Sequence, residues 1–234
     1  MVHLLDECSR SGIVLGDLKA QNMLINAQGE AKLTDPDGAC PLLPHHVLAA
    51  LAASNQVEAA ARAACTDPWG WVTIAKAVTA PAMAPPEFWI GWAVQWLEEG
   101  AAAGHDLSQD LRDMWLEAQD ECKNSAGYLL DRLQRECGTH AAALQLLHDM
   151  GGGCDCSYMC GASHQYLLGA SMSDLLWSVA AVLGQQQGEE SEQRLAFVSE
   201  LHGVMARLMT GEPASRPSLR MLRRWLAGLR ADWC

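Results

Sequence analysis

At 234 residues the chain is long enough to bury a sizeable core and to form one or two domains, and 50% of it is hydrophobic. Its net charge of −12, from 28 acids against 16 bases, argues against nucleic acid or an anionic membrane as a partner. No charge-free apolar run of about eighteen residues occurs, and Asp6 and Glu7 stand where a signal peptide needs a basic start, so neither a membrane span nor a leader is expected. A cytoplasmic location is therefore the expectation.

In chain order, Val2–Ser11 reads as the tail of a helix. Met23–Ile25 and Ala31–Leu33 read as two short strands joined by the turn Asn26-Ala27-Gln28-Gly29. His45–Cys65 carries strong helix formers, and Gly70, Pro81 and Pro85-Pro86 interrupt the chain after it. Phe88–Glu99 sets Trp89, Trp92 and Trp96 at i, i+3 and i+7, one helix face expected to lie in the core. Leu107–Cys122 and Ser125–Cys137 read as amphipathic helices, with Leu111, Trp115 and Ala118 on one side of the first and Leu129, Leu130 and Leu133 on the second. Ala142–Met150 is a third, ending at Gly151-Gly152-Gly153.

Tyr158–Leu183 is an apolar stretch that reads as a buried helix, with the polar linker Gln185–Glu192 after it. Arg194–Thr210 carries Leu195, Val198, Leu201, Met205 and Leu208 at helical spacing. Leu219–Leu229 closes the chain, with Arg220, Arg223, Arg224 and Arg230 in positions that suit a helix dipole and are expected to be solvated.

Of nine cysteines, Cys154, Cys156 and Cys160 form the one cluster. C-x-C-x₃-C supplies three legs of a zinc site if Cys137, His148 or His164 gives the fourth. The alternative is a glycine-rich loop of reduced thiols, which the missing C-x-x-C pair favours. A disulfide role needs a secretory route, and the N-terminus shows none.

The stretch Gly12–Gly38, GIVLGDLKAQNMLINAQGEAKLTDPDG, carries the chemistry. Its hairpin folds Asp35 back beside Asn22, so that an amide oxygen and a carboxylate converge on one hard cation. Mg²⁺ keeps several waters, so these two ligands and nucleotide phosphates suffice. Lys19 adds a point charge for a moving phosphate. Each of these residues alone has an ordinary structural reading as a turn or solvated residue; the D-L-K-x-x-N run, the hairpin and K-L-x-D together do not.

This stretch resembles the catalytic and metal-binding loops of the protein kinases. The resemblance implies that Asp17 accepts the proton of the attacking hydroxyl, that Lys19 steadies the transferred phosphate, and that Asn22 and Asp35 hold Mg²⁺. Asp37 is the alternative ligand if the turn Asp35-Pro36-Asp37-Gly38, which replaces D-F-G and is stiffened by Pro36, slides by two. Asp174-Leu175-Leu176-Trp177-Ser178 resembles the family's D-x-W-S, with one extra residue. That match implies that Asp174 caps the backbone of the catalytic loop and that Trp177 packs in the core. Leu208–Trp225 resembles the last family motif, in which an arginine, here Arg216, pairs with the glutamate of A-P-E.

That glutamate has two candidate positions. Ala84-Pro85-Pro86-Glu87 fits by letters. Cys160-Gly161-Ala162 fits by its spacing to Asp174 and is the favoured one, which leaves Arg216 without its usual partner and makes residues 41–157 an insertion. Leu15-Gly16 replace the family's His-Arg, so control by activation-loop phosphorylation is not expected. No glycine-rich loop or strand lysine precedes Asp17, so the expectation is either a truncated chain or one that works without a small lobe and holds ATP weakly.

The sequence thus predicts a mainly α protein resembling the C-terminal lobe of the protein kinases, with the catalytic and metal-binding loops in 1–40, a helical insertion in 41–157 and C-lobe helices in 158–234. The expected activity is ATP- and Mg²⁺-dependent phosphoryl transfer to protein Ser or Thr, if a small lobe is supplied. The alternative is an inactive, pseudokinase-like scaffold that binds a protein partner.

Overall fold

The computed structural model describes residues 1–11, 13–35, 39–41, 71–73, 83–121, 125–150, 158–160 and 162–233. Among them are eight α-helices and three two-stranded antiparallel sheets. The predicted helix His45–Cys65 and the alternative ligand Asp37 lie outside the described residues, as do Cys154 and Cys156.

The N-terminal part runs α1 (Val2–Arg10), β1 (Ile13–Leu15), a 3₁₀ turn (Ala20–Asn22), β2 (Met23–Ile25), β3 (Ala31–Leu33) and β4 (Ala39–Pro41). β1 pairs with β4, and β2 with β3 in the register Met23↔Leu33, Leu24↔Lys32, Ile25↔Ala31. The predicted hairpin forms because its turn closes itself. Asn26 Oδ1 accepts the backbone N–H groups of Gln28 and Glu30, and Gly29 takes φ 77°, a conformation that costs glycine nothing.

β5 (Trp71–Thr73) pairs with β6 (Tyr158–Cys160). Between them lies the predicted helical block: α2 (Ile90–Ala103), α3 (Leu107–Glu121), α4 (Ser125–Glu136) and α5 (His140–Met150). Its core takes Leu97, Leu111, Met114, Leu129, Leu133 and Leu147, all buried, one or two from each helix, as their 3.6-residue spacing requires. The tryptophan stripe lies at the margin of this core. Ile90, Ala93, Val94 and Leu97 fill the centre, while Trp89, Trp92 and Trp96 pack against it half-buried and edge to face.

One polar cluster pins the block together. Asp110 of α3 is 1% exposed and is held by His105 Nδ1 at 2.8 Å and His140 Nε2 at 2.7 Å. Burial works against the charged carboxylate, but the two histidine hydrogen bonds outweigh it and the Asp110 pKa is lowered. The carboxylate sits directly over Gly100, where an added Cβ would be 1.8 Å from Asp110 Oδ2.

The C-terminal part comprises α6 (Ser163–Leu183), α7 (Glu189–Leu208) and α8 (Leu219–Trp233). α7 begins inside the predicted linker, with Glu189, Glu190 and Glu192 in a first turn where acids suit the dipole. α6 packs mainly on α7, closest at Gly169, where an added Cβ would lie 2.8 Å from the Met205 carbonyl and 2.9 Å from Leu208 Cβ. A second core joins Leu5, Val14 and Leu18 of the N-terminal part to Leu167, Met205 and Leu222 of these helices.

One expectation is corrected here. Trp177 is 67% exposed, its ring resting edge-on against His202, and does not pack in the core. Apolar residues recur all round α6, so their periodicity alone does not mark the buried face; the helix crosses α7 closely at Gly169, while Trp177 lies exposed. α6 is also long and apolar enough to cross a membrane by length and composition, although it carries Asp174, and 44% of that stretch is buried inside the protein.

Candidate functional site

The site is built on a short loop anchored on both sides by buried apolar residues. Val14, Leu15 and Leu18 are buried in the second core, which leaves Asp17 and Lys19 to turn toward each other. Burying Leu18 alone contributes about 1.5–3 kcal/mol to fixing this geometry.

Lys19 Nζ donates to Asp17 Oδ2 at 2.7 Å, and Asn22 Nδ2 donates to the same oxygen at 3.0 Å and to the Asp17 carbonyl at 3.1 Å. The Asp17 side chain is 5% exposed and that of Lys19 30%. Asn22 spends its amide nitrogen on Asp17, so its Oδ1 is the acceptor left unused among the described residues. The 3₁₀ turn Ala20–Asn22 makes this possible by bringing the Asn22 N–H onto the Lys19 carbonyl at 3.0 Å.

Thr34 then ties the end of the hairpin to Asn22. Its N–H and Oγ1 both donate to the Asn22 carbonyl, at 2.8 and 3.2 Å. Asp35 comes next, exposed, at φ 56°, and is the single non-glycine residue with positive φ among those described. Aspartate tolerates that conformation better than most residues, and such outliers gather at functional sites. Asp17, Lys19 and Asn22 are thus in direct contact, and Asp35 is placed one residue beyond the Asn22–Thr34 link.

α6 holds the loop on both sides of Asp17. His164 Nε2 accepts the Leu15 N–H at 2.7 Å, and Ser171 Oγ donates to the Leu18 carbonyl. His164 and Ser171 are seven residues apart, two turns of one helix face. Because Nε2 is an acceptor, the ring proton sits on Nδ1, which lies 2.9 Å from Ser9 Oγ. Burial pushes the His164 pKa down to about 4, so the ring is neutral at physiological pH.

This corrects two sequence expectations. Asp174 is exposed, and the backbone of the loop is held instead by His164 and Ser171. His164 is also not a spare zinc leg, since both its ring nitrogens are engaged. Among the described residues no group of three His, Cys, Asp or Glu side chains is placed to hold a metal ion. The donor set of Asn22 and Asp35 is the two-ligand kind that Mg²⁺ accepts when phosphates and waters complete its shell.

Arg216 has a partner. Its guanidinium grips Glu87 of Ala84-Pro85-Pro86-Glu87 at 2.7 Å on both carboxylate oxygens, with side chains 0% and 1% exposed. Glu87 Oε1 also accepts Ser163 Oγ at 2.7 Å, and Arg216 reaches the carbonyls of Thr210, Gly211 and Ala162 and lies over the Tyr166 ring. The letters of Ala84–Glu87 therefore outweigh the spacing of Cys160-Gly161-Ala162. Sequence reasoning missed Ser171 and the hold of His164 on the loop; it weighed Glu87 as the partner of Arg216 from the letters Ala84-Pro85-Pro86-Glu87, but favoured the other position.

No family model, no curated protein and no solved structure matches this chain.

Proposed function

We propose that residues 13–35 are the phosphoryl-transfer site of a protein-kinase-like large lobe. The observation that carries this reading is the convergence of Lys19 and Asn22 on one oxygen of Asp17, beside a hairpin that delivers Asp35. Two further contacts support it: the buried Glu87–Arg216 pair joining the two motif-like pieces, and the hold of α6 on the loop through His164 and Ser171.

On this reading a Ser or Thr hydroxyl of a protein substrate attacks the γ-phosphorus of ATP. The bond to the bridging oxygen breaks, ADP leaves with that electron pair, and the hydroxyl proton passes to Asp17. Lys19 neutralises charge on the phosphoryl group as it moves, and its place two residues after Asp17 matches the pattern of the Ser/Thr enzymes. Mg²⁺ held by Asn22 and Asp35 would neutralise phosphate charge.

The second reading is a non-catalytic scaffold that binds a protein partner. One observation favours it: Leu24 and Ile25 of the hairpin are 58% and 69% exposed, an apolar surface beside the site. Incubating the chain with γ-labelled ATP, Mg²⁺ and Ser/Thr peptides separates the two. Labelling that Asp17→Asn abolishes supports the kinase reading. Absence of labelling, with wild-type and Asp17→Asn chains binding partner equally, supports the scaffold.

A further inference from the structure

Where the start of α3 passes the end of α4 lies a pocket of ≈ 590 Å³. Two ridges of α3 shape it, each stepping by four residues along one side of the helix. Leu107, Leu111 and Trp115, buried or half-buried, form its wall, and the exposed Ser108, Arg112 and Leu116 form its rim. Gln134, Cys137 and Gly138 at the end of α4 line the other side. Leu116 is 67% exposed, an apolar side chain left uncovered at the mouth.

Arg112 is the single charged residue lining this pocket. Its Nη2 donates to Gln109 Oε1 at 2.9 Å, and no carboxylate lies within ion-pair distance of it among the described residues. The acids beside it on α3 are already engaged. Asp106 accepts the Ser108 hydroxyl at 2.6 Å and the Gln109 N–H at 2.7 Å, which, with a smaller share from Arg112, lower its pKa. Asp113 accepts Gln109 Nε2 at 2.8 Å. The pocket therefore offers an apolar trough with one unmatched positive charge on its rim.

We propose that this pocket binds a small amphipathic carboxylate of the medium-chain fatty-acid kind, its alkyl chain against Leu111, Trp115 and Leu116 and its carboxylate on Arg112. The volume falls within the range of about 300–1,000 Å³ for small-molecule sites, which are apolar with a few polar groups that fix orientation. A guanidinium presents paired N–H donors that match a carboxylate; a neutral ligand leaves them unused, and a cation meets like charge. The lining comes from residues 107–116 and 134–138 alone, far fewer than the roughly 20–30 a side of a stable protein interface, which selects a small ligand over a partner chain.

The test titrates the full chain with decanoate, below the concentration at which it forms micelles, by calorimetry, with decanol and decylammonium as controls. Micromolar binding of decanoate is expected, and each control should bind about tenfold more weakly, as the loss of a charged hydrogen bond implies. The chain carries −12, so nonspecific attraction favours the ammonium and a preference for the carboxylate reports Arg112. Arg112→Gln, at an exposed position that leaves folding intact, should weaken decanoate about tenfold and leave decanol unchanged. Cys137 locates the ligand, because decanoate in the pocket should slow its alkylation by N-ethylmaleimide, read by peptide mass mapping. The proposal is overturned if decanoate does not bind, if either control binds as well, or if Arg112→Gln binds decanoate equally. It is likewise overturned if bound decanoate leaves Cys137 alkylation unchanged, which places the ligand elsewhere, or if Cys137 becomes protected by raising protein concentration alone, which gives this face to a second copy.

Discussion

Glu87 and Arg216 stand 129 positions apart and meet in a buried, two-pronged ion pair that ties the start of the helical block to the segment before α8. Arg216 also satisfies three backbone carbonyls, so the guanidinium has little capacity left over. Such a pair gives the fold its registration more than its net stability, because desolvation offsets much of the attraction.

Removing one partner is a different matter. Glu87→Ala leaves Arg216 charged and buried, and the expected loss is about 3–5 kcal/mol, measured by urea unfolding. A loss below about 1 kcal/mol would mean that water reaches the pair.

The buried His164 makes stability depend on pH. Its folded pKa is about 4 against an ordinary value of 6.5, so between these values the unfolded chain binds more protons than the folded one. Stability is therefore full above pH 6.5 and falls as pH drops toward 4, by about 3 kcal/mol in all. Urea titrations at several pH values check this, and His164→Asn should flatten the slope between pH 6.5 and 4.

Trp177 separates two accounts of α6. With its ring 67% exposed, Trp177→Ala should cost under about 1 kcal/mol by thermal unfolding, against about 3–5 kcal/mol for a tryptophan in the core.

Gly100 tests the packing of the helical block. Gly100→Ala places a methyl on the Asp110 carboxylate and should break its contacts with His105 and His140. A drop of about 2 kcal/mol or more is expected by urea unfolding, and Asp110→Ala combined with it should cost less than the sum of the two single changes.

Much of the fold was legible in the sequence because local rules governed it. The turn Asn26–Gly29 closes through its own side chain and one glycine, and Leu129, Leu130 and Leu133 mark a buried face by spacing alone. Asp17, Lys19 and Asn22 were legible for the same reason, since a single short turn brings them together. The illegible parts depend on contacts between distant segments. Spacing from Asp174 misplaced the partner of Arg216 because helices α2–α5 separate Glu87 from α6 along the chain, whereas in space Glu87 meets Ser163 at the start of α6. A helix whose apolar residues recur on every side, as in α6, offers little pattern from which to read its inward face.

The most direct measurement is the thermal stability of the purified chain with and without ATP and Mg²⁺, beside Asp35→Ala. Ligand that binds only the folded state raises the melting temperature by mass action. The account predicts a Mg²⁺-dependent rise that Asp35→Ala lacks while melting normally on its own. No rise, or an equal rise in Asp35→Ala, would contradict the assignment of residues 13–35 as a nucleotide and metal site.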